Sequence, residues 1–246
     1  MAKRNLILII SIITLIVVES VFFYFILTLP LYKKYTVRYL AIVIAILFSL
    51  AYLKINKKIA LASLGFALTG VADYFLAYSN PIQELSGVTV FCAVQLAYFA
   101  YLFCLQEEKK SRIIHLVLRI MVVVIAQFVL RIVVGERVDT LSKRSLFYIA
   151  NLVVNLIIAI TLKNKHPLFA LGLALFLCCD IVVGLNSAIG VYIDIPRNNI
   201  FYKIAFSDFD FAWFFYLPSQ VIIAISIMLK GKTPFFVPKH IRERYE

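Results

Sequence analysis

The stretch LGLALFLCCDIV, residues 171–182, sets an aspartate deep in a run that is otherwise apolar. Earlier in the chain LGFALTGVADYF, residues 64–75, does the same. Aligned on their Leu-Gly pairs, the two give L-G-x-A-L-x-x-x-x-D twice, and Asp73 matches Asp180. Neither run alternates apolar and polar residues as a barrel strand does; both have the length and continuity of a membrane helix. A carboxylate at the centre of such a helix costs about 2.5–3.5 kcal/mol to insert, so it faces the bundle interior and marks a functional position.

Composition extends this reading to the whole chain. Of 246 residues, 63% are hydrophobic, and the mean hydropathy is +0.95, whereas a soluble domain is about 45–50% apolar. Segments of helical length run over roughly 5–29, 38–53, 59–78, 86–106, 113–135, 145–162, 167–187 and 211–229. The expected fold is an all-α integral membrane protein of about eight transmembrane helices in a single membrane domain, 1–246. The first segment has a basic start like a signal peptide, but its apolar run is too long for one and no small-residue cleavage site follows. It is expected to stay as the first span. The connector at 188–210 carries Ile200, Phe201, Tyr202 and Phe206 and is expected at the membrane surface.

The net charge of +12 has a membrane explanation. Basic residues flank cytoplasmic span ends and meet anionic lipid, and no nucleic-acid-reading module is present. With eight spans, 15 Lys and Arg fall on the side of both termini and nine on the other. This predicts cytoplasmic termini, a basic cytoplasmic tail at 231–246, and residence in the cell membrane. The cysteines Cys92, Cys104, Cys178 and Cys179 all lie inside apolar runs, where they read as packing residues rather than as a disulfide framework or a zinc site.

Fifteen residues beyond Arg4, Lys58, Arg112 and Lys165 come Glu19, Asp73, Gln127 and Asp180. At 1.5 Å per residue that is one depth, about 22 Å from each basic anchor. The regularity predicts two parallel four-helix halves, roughly 1–110 and 111–230, around a polar layer.

The candidate chemistry rests on Asp73 and Asp180. Two carboxyls held together in a medium of low dielectric do not both ionise, which leaves a proton donor beside a base. Further polar residues repeat at helical spacing: Phe91, Gln95 and Tyr98 on the fourth span, Asn151 and Asn155 on the sixth, Tyr216 and Gln220 on the eighth. With Glu19 they are the candidates to line a cavity. The structural alternative is that each acid is locked to a buried donor such as Arg119, Asn151, Asn155 or Gln127, and that the paired polar residues are interhelical glue. Arg119, one turn beyond His115, is expected to snorkel to the interface. No G-x-S-x-G, G-x-x-x-x-G-K-[ST] or H-E-x-x-H occurs, which disfavours serine-triad, P-loop and zinc-hydrolase chemistry.

Four stretches carry a family resemblance: FALTGVADYFLA (66–77), FCAVQLAYFAYLF (91–103), PLFALGLALFLCCDIVVGLNS (167–187) and FYLPSQVIIA (215–224). Together they resemble the YhhN-type lysoplasmalogenase family of multi-span membrane proteins. Asp73 and Asp180 stand where the family has its two acids, and Tyr216 and Gln220 match its late Y-x-x-x-Q. Three departures stand out: Ala72 replaces a glycine, Gln95 replaces the family's usual histidine, and Pro218 falls inside the last motif. Gln can hydrogen-bond but cannot carry a proton. The resemblance implies hydrolysis of the vinyl-ether bond of a lysoplasmalogen, with Asp73 and Asp180 as the catalytic residues. The partners implied are a lysophospholipid-like substrate and membrane lipids, and no metal or organic cofactor is required. The polar-residue pattern by itself equally suits a proton-coupled transporter or a non-catalytic lipid-binding protein.

Overall fold

A computed structural model describes residues 2–29, 31–52, 57–77, 81–162 and 166–231. The helices are α1 (Ala2–Thr28), α2 (Leu31–Ala51), α3 (Lys57–Ala77), α4 (Pro81–Leu105), α5 (Lys109–Val134), α6 (Thr140–Thr161), α7 (Pro167–Ala188), α8 (Ile200–Ala205) and α9 (Phe211–Gly231). All but α8 contain a stretch long and apolar enough to cross a membrane, which makes eight. The protein is an all-α multi-span membrane protein. Helices satisfy every backbone donor within the segment, as an apolar solvent demands. The basic tail expected beyond Gly231 lies outside the described residues.

The second span is longer than its hydropathy suggests, because α2 begins at Leu31 and carries Lys33, Lys34 and Arg38 in its first two turns. α5 likewise absorbs most of a charged connector by starting at Lys109. α6 starts under a capping box in which the Ser142 amide donates to Asp139 Oδ1 at 2.7 Å. The expected surface connector holds the short helix α8, whose Ile200 and Phe201 are exposed. α9 continues through Pro218, which removes one amide donor and frees the carbonyl one turn earlier, at Phe214.

Six helices form a closed ring in the order α2, α3, α4, α6, α7, α9 and back to α2. α1 lies outside it against α2 and α9, and α5 lies outside it against α6. Only 11% of the α1 and α5 spans is buried, against 50% for α9. Ile13, Val17, Val124 and Phe128 point outward, as lipid-facing residues do.

The contacts recur between the two parts of the chain. α3 packs along α4 as α7 packs along α9, and α1 leans on α2 as α5 leans on α6. The repeated glycine sits at two matching close crossings. A Cβ at Gly65 would come within 2.6 Å of the Tyr98 ring on α4, and one at Gly172 within 2.6 Å of Ile223 on α9. Each glycine therefore lets its helix approach the next one closely.

The single-depth polar layer does not form. Asp73 and Asp180 face the interior of the ring, but Glu19 belongs to α1 and Gln127 to α5, both outside it. Glu19 is 3% exposed, and neither carboxyl oxygen has a hydrogen-bond partner among the described residues. Gln127 Nε2 donates to the Lys143 carbonyl at 2.9 Å. Equal depth along an axis says nothing about which way a helix faces, and that is where the expectation fails.

Candidate active site

The ring encloses a cavity of about 690 Å³ at the end where α3 and α7 finish and α2, α4, α6 and α9 begin. Its size is that of a small-molecule site. Most of the lining is apolar or aromatic, including Leu76, Val88, Leu146, Ile149 and Val183. Asp73 from α3 and Asp180 from α7 both line it.

Each acid is held by a tyrosine. The Tyr216 hydroxyl on α9 donates to Asp73 Oδ1 at 2.8 Å and to Oδ2 at 2.7 Å. The Tyr148 hydroxyl on α6 donates to Asp180 Oδ2. Both tyrosines line the cavity, and both rings pack on Phe176, with centroids 5.5 Å away for Tyr216 and 6.3 Å for Tyr148. Phe176 is buried and stands one helical turn before Asp180 on the same face of α7. Phe91 closes the cluster, 5.3 Å from the Tyr148 ring and 5.8 Å from Phe176. The result is two carboxyls above an aromatic floor. Phenol donors leave a carboxyl free to hold or release a proton, which a salt bridge to a buried Arg would not.

The structural alternative of acids locked to Arg119, Asn151, Asn155 or Gln127 is not what the molecule shows, because those residues bond elsewhere. Arg119 Nη2 donates to Asn155 Oδ1 at 2.5 Å. The Asn155 amide donates in turn to the Gln95 carbonyl and to Gln95 Oε1, each at 2.9 Å. Asn151 Nδ2 donates to the Phe147 carbonyl, one turn back on its own helix, at 2.7 Å. Arg119 does not snorkel. It is 7% exposed, with its guanidinium carbon 3.6 Å from the centre of the Phe99 ring. The Phe99 ring and Asn155 are its contacts, while Nε and Nη1 are buried with no hydrogen-bond partner among the described residues.

Of the residues expected to line the cavity, Tyr216 does so together with the lead-in residue Phe91, and Glu19, Gln95, Tyr98, Asn151, Asn155 and Gln220 do not. The reason is axial position. Gln95 lies four residues beyond Phe91, and Gln220 four beyond Tyr216, which is about 6 Å further into the bundle. Tyr98 and Asn155 are a further turn on. These residues form a buried layer beneath the floor: Gln95, Asn155, Gln220 and Tyr98 have no exposure at all.

The residues missed by sequence reasoning are Tyr148, Trp213, Arg38 and Asp210. Tyr148 was detectable, since it precedes Asn151 by three and Asn155 by seven and so shares their helix face. Arg38 pairs with Asp210 across α2 and the start of α9, a contact between distant segments that no local pattern encodes. Trp213 packs on both sides of this wall, 5.1 Å from the Tyr216 ring and 5.0 Å from the Arg38 guanidinium.

The chain matches the model of the YhhN family over residues 6–227, a stretch that takes in both acids and all but the last turn of the ring. The chain belongs to the YhhN family. Comparison with curated proteins and with solved structures gave no match for it. Within this YhhN protein, the matched stretch holds both Asp–Tyr pairs of the cavity.

Proposed function

We propose that this YhhN-family protein hydrolyses the vinyl-ether bond of lysoplasmalogens, releasing a fatty aldehyde and glycerophospho-ethanolamine or -choline. The observation that supports it most is the pair of carboxyls, each steadied by a tyrosine hydroxyl, at the floor of one apolar cavity within the spans. A single-chain alkenyl lipid suits that apolar wall, and its reactive bond needs what the floor offers: a positioned acid and a base.

The chemistry balances with these groups and one water. One of Asp73 and Asp180 carries a proton and delivers it to the β-carbon of the vinyl ether. The double-bond electrons form the new C–H bond, and the α-carbon becomes an oxocarbenium ion, stabilised by the other, ionised carboxylate. Water adds to that carbon, and the carboxylate takes the proton it loses. The hemiacetal then collapses: its hydroxyl proton leaves to a carboxylate, the bond to the glycerol oxygen breaks, and a carboxyl returns a proton to that oxygen. The net consumption is one water, and both carboxyls end as they began. Tyr148 and Tyr216 orient the acids, and Phe176 with Phe91 keeps bulk water from the cation.

The experiment is aldehyde release from a lysoplasmalogen by detergent-purified protein. Release in detergent separates an enzyme from a transporter, which needs two compartments to show its activity. No aldehyde from a folded, monodisperse wild type across several headgroups sinks the proposal.

A further inference from the structure

Among the described residues the cavity carries three carboxyl groups, Asp73, Glu84 and Asp180, and a single cationic side chain, Arg38. That arginine is built in with care. Its guanidinium lies over the Trp213 ring at 5.0 Å and near the Tyr35 ring at 5.9 Å. Nη2 is taken by Asp210. Asp210 is itself fixed as the start of α9, accepting from the Trp213 amide on Oδ1 at 3.3 Å. The rest of the fork is unclaimed among the described residues: Nη1 makes no hydrogen bond, and Nε is buried without a partner. An arginine held by one corner between aromatic rings, with guanidinium donors unclaimed in the wall of an apolar cavity, is a prepared site for an oxyanion.

Its position sets the size of the ligand. Asp210 and Trp213 precede Tyr216 by six and three residues on α9, so Arg38 sits about 5–9 Å from the level of the Tyr216–Asp73 pair. A three-carbon glycerol spans a comparable distance between an ether oxygen and a phosphodiester. Resting on the hydrolase reading above, we infer that Arg38 binds the headgroup phosphate of the substrate through the part of its guanidinium that Asp210 does not claim, while Asp210 and Trp213 hold the group in place. The site thereby measures the lipid from its phosphate and sets the alkenyl carbons over Asp73 and Asp180. Apolar contacts alone let a chain slide; one fixed charge–charge contact gives it a register.

The test uses binding, so it does not depend on turnover. The probes are a saturated 1-O-alkyl-glycerophosphocholine, which has no vinyl ether to cleave, the matching 1-O-alkylglycerol, which lacks phosphate, and inorganic phosphate. Wild type is expected to bind the phosphate-bearing lipid at least about tenfold more tightly than the alkylglycerol, the usual scale of a buried charge-assisted contact. In Arg38→Gln this preference falls to within about threefold, while alkylglycerol affinity is kept, which shows that the cavity is intact. Arg38→Lys, which retains charge but not the fork, falls between them. A preference that survives Arg38→Gln, or that wild type never shows, overturns the inference. So does inorganic phosphate binding wild type as tightly as the lipid, which would make this a site for free phosphate. The two readings fail separately: an Arg38-dependent phosphate preference without aldehyde release removes the hydrolase and keeps the headgroup site, and aldehyde release without the preference does the reverse.

Discussion

The Tyr216 hydroxyl on α9 bridges both carboxyl oxygens of Asp73 on α3, at 2.8 and 2.7 Å. One donor shared between two acceptors centres the phenol on the carboxyl and fixes the plane of the acid relative to the cavity. The bond also joins residues 143 positions apart in sequence, so the acid is aimed by a helix that enters the ring last.

Removing that hydroxyl should cost activity far more than it costs stability. A hydrogen bond to a charged group contributes about 1.5–3 kcal/mol, so Tyr216→Phe is expected to lower aldehyde release about 10- to 100-fold. Tyr148→Phe should do the same through Asp180. The ring contacts with Phe176 and Trp213 survive either change, so the thermal midpoint should move by only a few degrees. Rates within twofold of wild type for both variants would show that the tyrosines do not aim the acids.

The acids themselves admit a sharper outcome. Asp73→Asn and Asp180→Asn are close in shape, and Asn still accepts a hydrogen bond from the tyrosine hydroxyl. Both variants should insert and purify normally, and both should lose at least about a thousandfold in turnover, because the proton donor or its partner base is gone. Full activity in either variant would refute the carboxyl pair.

Much of the architecture was legible in the sequence because membrane helices announce themselves by local composition. The L-G-x-A-L-x-x-x-x-D repeat encoded more than the acids: its glycines, Gly65 and Gly172, fall at two matching close crossings. What stayed hidden was orientation about each helix axis. Glu19 shares a depth with Asp73, yet α1 lies outside the ring. Gln95 and Asn155 share the ring interior but sit beneath the floor, where they bond to each other and to Arg119. Arg38 and Asp210 meet only because α2 and α9 close the ring, and nothing within either segment signals the other.

The glycine crossings give a stability prediction. Gly65→Ala forces a Cβ against the fully buried Tyr98 ring, and Gly172→Ala forces one against the buried Ile223 and to 3.3 Å from the Ser219 carbonyl. Overpacking of this kind costs about 1–3 kcal/mol. Gly184, on the same helix as Gly172, has nothing within 4 Å of an added Cβ, so Gly184→Ala should be neutral or should stabilise by up to about 1 kcal/mol through helix propensity. Thermal unfolding of the three variants in one detergent tests the order; equal midpoints would remove the argument from close packing.

A pH-dependent contribution sits at the start of α6. The Ser142 amide donates to Asp139 Oδ1 and is the main cause that holds this carboxyl below the ordinary carboxylate range. The folded value is depressed, so the stabilisation is full above the unfolded value of about 3.9 and is lost as pH falls through the folded one. Asp139→Ala should cost about 0.5–2 kcal/mol at neutral pH, the usual range for a lost N-cap. The gap between wild type and variant should narrow as pH drops below about 4; a gap constant down to pH 3 would show that the ionised cap is not what holds this helix start.

The last prediction concerns Gln95, where the family resemblance expects histidine. Its side chain is fully buried, its Oε1 accepts from Asn155 at 2.9 Å, and it does not line the cavity. A proton-carrying ring at that position would sit beneath the aromatic floor, behind Phe91 and about 6 Å further along α4. It would have no path to a substrate held at Asp73 and Asp180. Restoring the residue with Gln95→His should therefore change aldehyde release by no more than about threefold, with any effect entering through packing around Asn155 and Arg119. A gain of tenfold or more, accompanied by a new limb in the pH–rate profile near neutrality, would mean that position 95 takes part in proton transfer and that the cavity floor opens during turnover.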